Sequence, residues 1–247
     1  MLLMVSTGHA LASSACTATS GRDTLPLVEL YTSEGCDSCP PADRWLSTTF
    51  PVDGTAASVL AFHVDYWDRL GWRDRFASPE YTARQYASMR ANGATFVYTP
   101  QVLVQGRDVP AWAERGVAAV EAAARTPARA KLSLAVTTPG QGSVDVQASA
   151  EIGDAALHGD SVLLVAYVDS GLSSDVRAGE NRGVHLRHER VVRDLQRIGV
   201  PNARGMITGH ARFTRPLEAG VAPTLVAFVQ RASNGDVLQT LELRDCW

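Results

Sequence analysis

The residues that most constrain this chain are Val28-Glu29-Leu30-Tyr31-Thr32-Ser33-Glu34-Gly35-Cys36-Asp37-Ser38-Cys39-Pro40-Pro41. A β-favouring run from Leu27 to Tyr31 breaks at Ser33-Glu34-Gly35. Two cysteines follow with two residues between them, and Pro40-Pro41 then leads into a helix-compatible segment through Leu46. Proline is tolerated in a helix's first turn, where the N–H it lacks has no partner anyway. The pattern therefore predicts a strand, a corner carrying Cys36 and Cys39, and a helix. The free N–H groups and positive dipole end at a helix start stabilise a thiolate, the reactive form of cysteine. The spacing also lets both sulfurs close one small ring. The chemistry expected is that of a redox couple, with Cys36 the more exposed sulfur.

The next strong run, Ser58-Val59-Leu60-Ala61-Phe62-His63-Val64-Asp65, is nearly continuous in apolar residues, as buried parallel strands are. Strand, helix and parallel strand make a βαβ unit with a right-handed crossover. A Cys-x-x-Cys at the first turn of such a unit is a stronger signal than the motif alone. Tyr66 to Phe76 is dense in aromatic and charged residues, and its aromatics, Trp67 among them, are candidates for the wall of a substrate groove or for core packing. Ser78-Pro79-Glu80 reads as a helix start, with Asn92-Gly93 as its end. Gln101 to Val104 reads as a strand, Gln105-Gly106-Arg107-Asp108 as a hairpin turn, and Ala113 to Arg125 as a helix. Beyond Thr126-Pro127 the period changes to strict alternation. Lys131 to Val136 and Ser143 to Ala148 read as a hairpin, with further strands at Val162 to Val168, Thr224 to Gln230 and Val237 to Leu243.

At Val28 to Asp43 and His63-Val64-Asp65-Tyr66-Trp67-Asp68 the chain resembles the thioredoxin-like superfamily. It looks more specifically like a group of secreted bacterial proteins, domain-of-unknown-function family 1223. Tyr98-Thr99-Pro100-Gln101 and Gly179-Glu180-Asn181-Arg182-Gly183 belong to the same likeness. The resemblance implies an α/β thioredoxin-like domain over about 23–126, with a helical insertion at about 66–97. The alternating strands imply a β-rich, sandwich-like domain over 127–247. The resemblance also implies a cis peptide bond at Pro100, with the Thr99 backbone lining the sulfur pair. Cys36, Cys39 and Pro100 are then the catalytic set, and Trp67, Tyr98 and Thr99 the substrate-binding residues. Three features depart from ordinary thioredoxins. Asp37-Ser38 replaces Gly-Pro, Gly35 stands where tryptophan is usual, and Leu30 occupies the position of a buried aspartate that assists proton transfer. Asp37 and Glu34 oppose thiolate formation at Cys36. The Gly179 to Gly183 run is read as either a structural hairpin or a loop presenting Asn181 and Arg182 to the redox face.

A net charge of −3 gives no electrostatic case for nucleic acid or an anionic membrane surface. No apolar run approaches the roughly 20 residues that a membrane-spanning helix needs. Residues 1–20 resemble the later part of a secretory signal peptide, with Ala10-Leu11-Ala12 as a small-x-small cleavage pattern, though no Lys or Arg precedes Leu2 to Val5. Export to the periplasm or beyond suits the cysteines. Of the four, Cys16 and Cys246 lie near opposite ends, either joined as a terminal disulfide or left as two peripheral thiols.

No phosphate-cradling glycine loop and no Gly-x-Ser-x-Gly occurs, so no cofactor is expected. A metal held by both cysteines with His63 and Asp65 is the weaker competitor, because that mixed ligand set is not among the common zinc sites. The expected function is an exported thiol–disulfide oxidoreductase acting through Cys36 and Cys39 on a protein or low-molecular-weight thiol or disulfide. The alternative is a non-catalytic scaffold whose Cys-x-x-Cys is a structural clip.

Overall fold

A computed structural model describes residues 16–52, 54–140, 142–214 and 223–244. In chain order the elements are β1 (Cys16–Thr19), β2 (Leu27–Thr32), α1 (Pro40–Thr49), β3 (Ser58–His63), a 3-10 turn at Asp68–Leu70, α2 (Pro79–Ala91), β4 (Gln101–Val104), β5 (Arg107–Asp108) and α3 (Trp112–Ala124). Then come β6 (Lys131–Gly140), β7 (Ser143–Glu151), a 3-10 segment at Ala155–Asp160, β8 (Ser161–Asp169), β9 (Leu172–Asp175), β10 (His185–His188), β11 (Val191–Gly199), β12 (Met206–Phe213), β13 (Thr224–Arg231) and β14 (Val237–Leu243). Local chemistry explains most boundaries. Two prolines open α1. The Ser78 hydroxyl accepts from the Glu80 N–H at the start of α2, where Pro79 needs no partner.

Eight strands form one mixed sheet in the order β14-β13-β8-β11-β3-β2-β4-β5. β2 and β3 run parallel over Leu27 to Thr32 and Ser58 to His63, and β4 returns antiparallel on the other side of β2. Four strands, β1-β6-β7-β12, form a second sheet, and β9 and β10 form a separate ribbon. The alternation of β2 divides the apolar interior. Val28 and Leu30 face Ala42 and Leu46 of α1 and Val120 of α3. Leu27 and Tyr31 face the opposite way, with Phe62, Tyr81 of α2 and Phe228 of β13. Between the two large sheets lie Leu132, Val146, Val165, Tyr167, Phe213 and Leu225.

The expected α/β thioredoxin-like domain followed by a β-rich, sandwich-like domain is corrected by this arrangement. Among the described residues 41% lie in strands and 21% in helices. The large sheet does not stop at β3. β11 pairs with β3 at Val191 and Ala61, and β8, β13 and β14 extend the sheet from there. One core joins Tyr31, Leu60 and Phe62 to Val168, Val192 and Phe228. The physical reason lies in β3, all six of whose residues are buried. A strand that apolar belongs inside a sheet, so its free edge needed a neighbour.

The two hairpin tips at 105–106 and 234–236 meet. A Cβ on Gly106, whose φ is +77°, would lie 2.0 Å from the Gly235 carbonyl oxygen. Backbone on both sides leaves nothing flexible to yield. Gly106→Ala is expected to cost about 2–3 kcal/mol, from the left-handed backbone and the forced separation together. Urea unfolding checks this, and a cost under about 0.5 kcal/mol would show that the tips part freely.

Candidate functional site

The site is the turn between β2 and α1. Cys36 and Cys39 are joined by a disulfide with their Cα atoms 5.4 Å apart. Cys39 occupies the N-cap of α1, and its carbonyl accepts from Ala42 and Asp43. The turn is closed upstream by Cys36 N–H to the Ser33 carbonyl at 3.2 Å and by Gly35 N–H to Ser33 Oγ at 3.1 Å. Ser38 Oγ lies 3.3 Å from Cys36 Sγ. A disulfide sulfur carries no proton, so the hydroxyl is the donor there.

Neither sulfur is the exposed one that the sequence suggested. Both cysteines are 0% exposed. The element bonded to this turn is the excursion of residues 170–190 between β8 and β11, which contains the β9–β10 ribbon. Asn181 Nδ2, itself buried, donates to the carbonyls of Glu34 and Cys36 at 2.9 and 2.8 Å. Glu180 Oε2 accepts from the Asp37 N–H at 3.1 Å. His188 Nε2 lies 3.1 Å from Glu34 Oε1. At the base of the excursion Arg190, with φ +60°, is almost fully buried and donates to Glu242 and to the Val52 carbonyl. The Gly179 to Gly183 run is thus more than a turn, because two of its side chains hold the disulfide loop.

Behind the loop is a buried polar cluster. Glu34, fully buried, accepts from Trp72 Nε1 at 2.7 Å as well as meeting His188. Its N–H donates to Asp74 Oδ2, which also lies 2.7 Å from His63 Nδ1. The His63 and His188 rings pack edge to face, 5.1 Å apart. Burial alone would push the His63 imidazole down, but the Asp74 carboxylate outweighs it and holds the ring above its ordinary value. Burial likewise acts upward on Asp74, and His63 with two N–H donors overcomes it to leave that carboxyl below the usual range. Asp43, one turn into α1, accepts from Thr32 Oγ1 at 3.0 Å. Burial raises its carboxyl, with His63 and His188 pulling the other way.

The other expected site residues are distributed unevenly. The Thr99–Pro100 peptide is cis. Trp67 Nε1 donates to Thr99 Oγ1 at 2.8 Å. On its other side Trp67 approaches Gly35 so closely that a Cβ there would lie 3.2 Å from the Trp67 Cβ. Trp67 thus ties the disulfide turn to the residue before Pro100, and a side chain at position 35 would press on it. Tyr98 turns its hydroxyl away, donating to Asp108 at 2.9 Å. His63 and Asp65 do not converge on the sulfurs. His63 meets Asp74, while Asp65 accepts from Thr82 Oγ1 at 2.6 Å. Among the described residues no three His, Cys, Asp or Glu side chains are grouped to hold a metal.

Reading the sequence missed Asp74, His188 and Trp72, and for Asn181 it left open a structural hairpin or a loop presenting it to the redox face. For Asn181 the signal existed in the glycine-flanked charged run. Trp72 and Asp74 come from the loop before α2 and His188 from the end of β10, and their meeting depends on tertiary structure. Cys16 is disulfide-bonded, and Cys246, proposed for it, lies outside the described residues; of the signal-like residues 1–20, residues 1–15 also lie outside them, while Cys16–Thr19 form β1 beside β6. No helix among the described residues is long and apolar enough to cross a membrane.

A family model described as "Protein of unknown function (DUF1223)" matches residues 27–230. Among solved structures, the protein AGR_C_4864 from Agrobacterium tumefaciens is 27% identical, with a TM-score of 0.65 over 91% of this chain and 96% of that one. HBP35 of Porphyromonas gingivalis is 15% identical, with a TM-score of 0.64 over 90% of this chain and 75% of that one, a likeness of fold alone. No curated protein matches.

Proposed function

We propose that this chain, which belongs to the DUF1223 family of proteins of unknown function, is an exported thiol–disulfide oxidoreductase that works through Cys36 and Cys39. The observation that carries the reading is the disulfide closed between the loop after β2 and the N-cap of α1. A helix N-terminus stabilises the thiolate that forms when such a bond opens. In the reduced protein the Cys36 thiolate attacks a partner disulfide. One partner sulfur leaves as a thiolate, and a mixed disulfide joins Cys36 to the other. The Cys39 thiolate then attacks Cys36 Sγ, the second partner sulfur leaves, and the intramolecular bond is restored. Two electrons pass from the pair to the partner, and the two departing thiolates are protonated. The reverse sequence oxidises the partner. The kinship with thioredoxin-like proteins is proposed for this turn, its chemistry and the neighbouring Thr99-Pro100, with Trp67 and Thr99 beside the bound sulfur. The partner is a protein or small thiol met outside the cytoplasm, where such a pair can cycle.

Full burial of both sulfurs favours a second reading, a structural clip. The two are separated by redox titration and by exchange with dithiothreitol and insulin. The oxidoreductase is expected to equilibrate at a potential above about −300 mV and to turn over, while Cys36→Ser abolishes exchange. A lower potential with no turnover would establish the clip.

A further inference from the structure

Resolution of a mixed disulfide requires Cys39 to give up its thiol proton. Cys39 is 0% exposed, and burial disfavours the thiolate. A base within reach of that sulfur therefore decides how fast the step runs at neutral pH. Such a base works at hydrogen-bond distance or through one water.

The helix itself places Asp43 for this. Cys39 has helical backbone angles, φ −75° and ψ −41°, and its carbonyl accepts from the Asp43 N–H at 3.2 Å. Residues four apart on a helix share a face, with Cβ atoms about 5–6 Å apart, and helical side chains lean toward the N-terminus. The Asp43 carboxylate thus leans back toward Cys39. Thr32, buried at the end of β2, holds it through Oγ1 to Oδ2 at 3.0 Å.

The surrounding charges leave this carboxyl able to exchange a proton. The titratable groups that face it are His63 at the end of β3, Asp74 in the loop before α2 and His188 on β10. His63 is bonded to Asp74, and His188 to Glu34 of the disulfide turn. Among the described residues the Thr32 hydroxyl is the one donor on the Asp43 side chain. Burial outweighs both histidines and raises the carboxyl above its ordinary range, which suits a group that must take a proton and pass it on. A cleft of about 270 Å³ is lined by Asp43 and His188 together with Arg44, His185 and Arg187, which are exposed. The carboxyl therefore borders space through which a proton can reach water.

We infer that Asp43 is the proton acceptor for Cys39. The inference rests on the oxidoreductase reading and deepens it. In the mixed disulfide the Asp43 carboxylate takes the Cys39 S–H proton, the sulfur's electron pair attacks Cys36 Sγ, and the partner sulfur leaves with the bonding pair. The proton then passes to water through the cleft. In the opposite direction protonated Asp43 returns it to the Cys39 thiolate as the intramolecular bond opens.

The test mixes the reduced protein with the chromogenic disulfide dithiobis(nitrobenzoate) in a stopped flow, subtracting the signal of the Cys36→Ser, Cys39→Ser protein. One coloured thiolate is released when Cys36 attacks. A second follows when Cys39 resolves, at a rate independent of reagent concentration. Asp43→Asn keeps an acceptor for Thr32 but cannot take a proton. It is expected to leave the first phase unchanged and to slow the second about 100-fold at pH 7, the lower end of what a positioned base contributes. In the parent protein the second phase should rise as Asp43 loses its proton and then level off. In the variant it should climb steadily and meet the parent rate above about pH 9, where the thiol ionises unaided. An unchanged second phase, or both phases slowed alike at every pH, overturns the role of Asp43 while leaving the redox reading in place. A parent protein that releases no second thiolate overturns the redox reading itself, and the proton acceptor with it.

Discussion

Replacing Asp74 with alanine is expected to remove about 3–5 kcal/mol of folding stability, the range for a buried ion pair that loses one partner. The carboxylate is 2% exposed and serves three donors, His63 Nδ1 and the N–H groups of Glu34 and Phe76. Removing it strands all three, and His63 Nε2 already has no hydrogen-bond partner. Asp74→Asn retains an acceptor but loses the charge, and is expected to cost less.

The pair also has a pH signature. His63 is held above its ordinary value in the folded chain, so its contribution is complete below about 6.5 and is lost as pH rises through the raised value. Asp74 is held below its ordinary value, so its contribution is present above about 3.9 and is lost as pH falls through the lowered one. Stability should therefore fall on the alkaline side of pH 6.5, where the unfolded imidazole has released its proton and the folded one has not. In Asp74→Asn that slope should disappear. Urea midpoints from pH 5 to 9 check both statements. A loss under about 1 kcal/mol in Asp74→Ala, or an unchanged slope in Asp74→Asn, would mean that His63 is neutral and indifferent to its neighbour.

What the sequence made legible follows from how local each signal is. Pro40-Pro41 after a β run places the Cys36–Cys39 turn because proline acts on its own backbone. Ser78-Pro79, the alternations of β6 and β7 and the strand-favouring runs of β13 and β14 are equally local, and those elements lie where expected. The joining of the two halves was not local. It depends on Val191 entering beside Ala61, a pairing 130 positions apart that no periodicity records. Only the thoroughly apolar β3 hinted that its edge was occupied. The attachment of the 170–190 excursion to the disulfide turn was illegible for a related reason. Glycine spacing predicted the turns at Gly179 and Gly183, and both have positive φ. What a turn meets depends on where its ends are anchored, here by the buried Arg190 and its bond to Glu242.

That attachment leads to the other large effect, an acceleration. Asn181→Ala is expected to speed reduction of the Cys36–Cys39 bond by dithiothreitol by about thirtyfold. With both sulfurs at 0% exposure, a reductant is expected to react after the 170–190 excursion, which is bonded to the turn, lifts from it. Asn181 contributes two of the hydrogen bonds that oppose lifting. At about 1 kcal/mol each, their loss shifts the opening equilibrium by about 2 kcal/mol, and every 1.4 kcal/mol is a factor of ten. Alkylation with a mass tag after timed reduction reads the rate directly. Two comparisons keep the result specific. Asn181→Asp removes the donor while preserving the shape, and should accelerate reduction as well. His185→Ala, on the exposed side of the same ribbon, should not. If Asn181→Ala reduces at the parent rate while the fold is intact, the excursion is not the barrier. The sulfurs would then be reached by another route, the Trp67 side next to Thr99 being the one left to open.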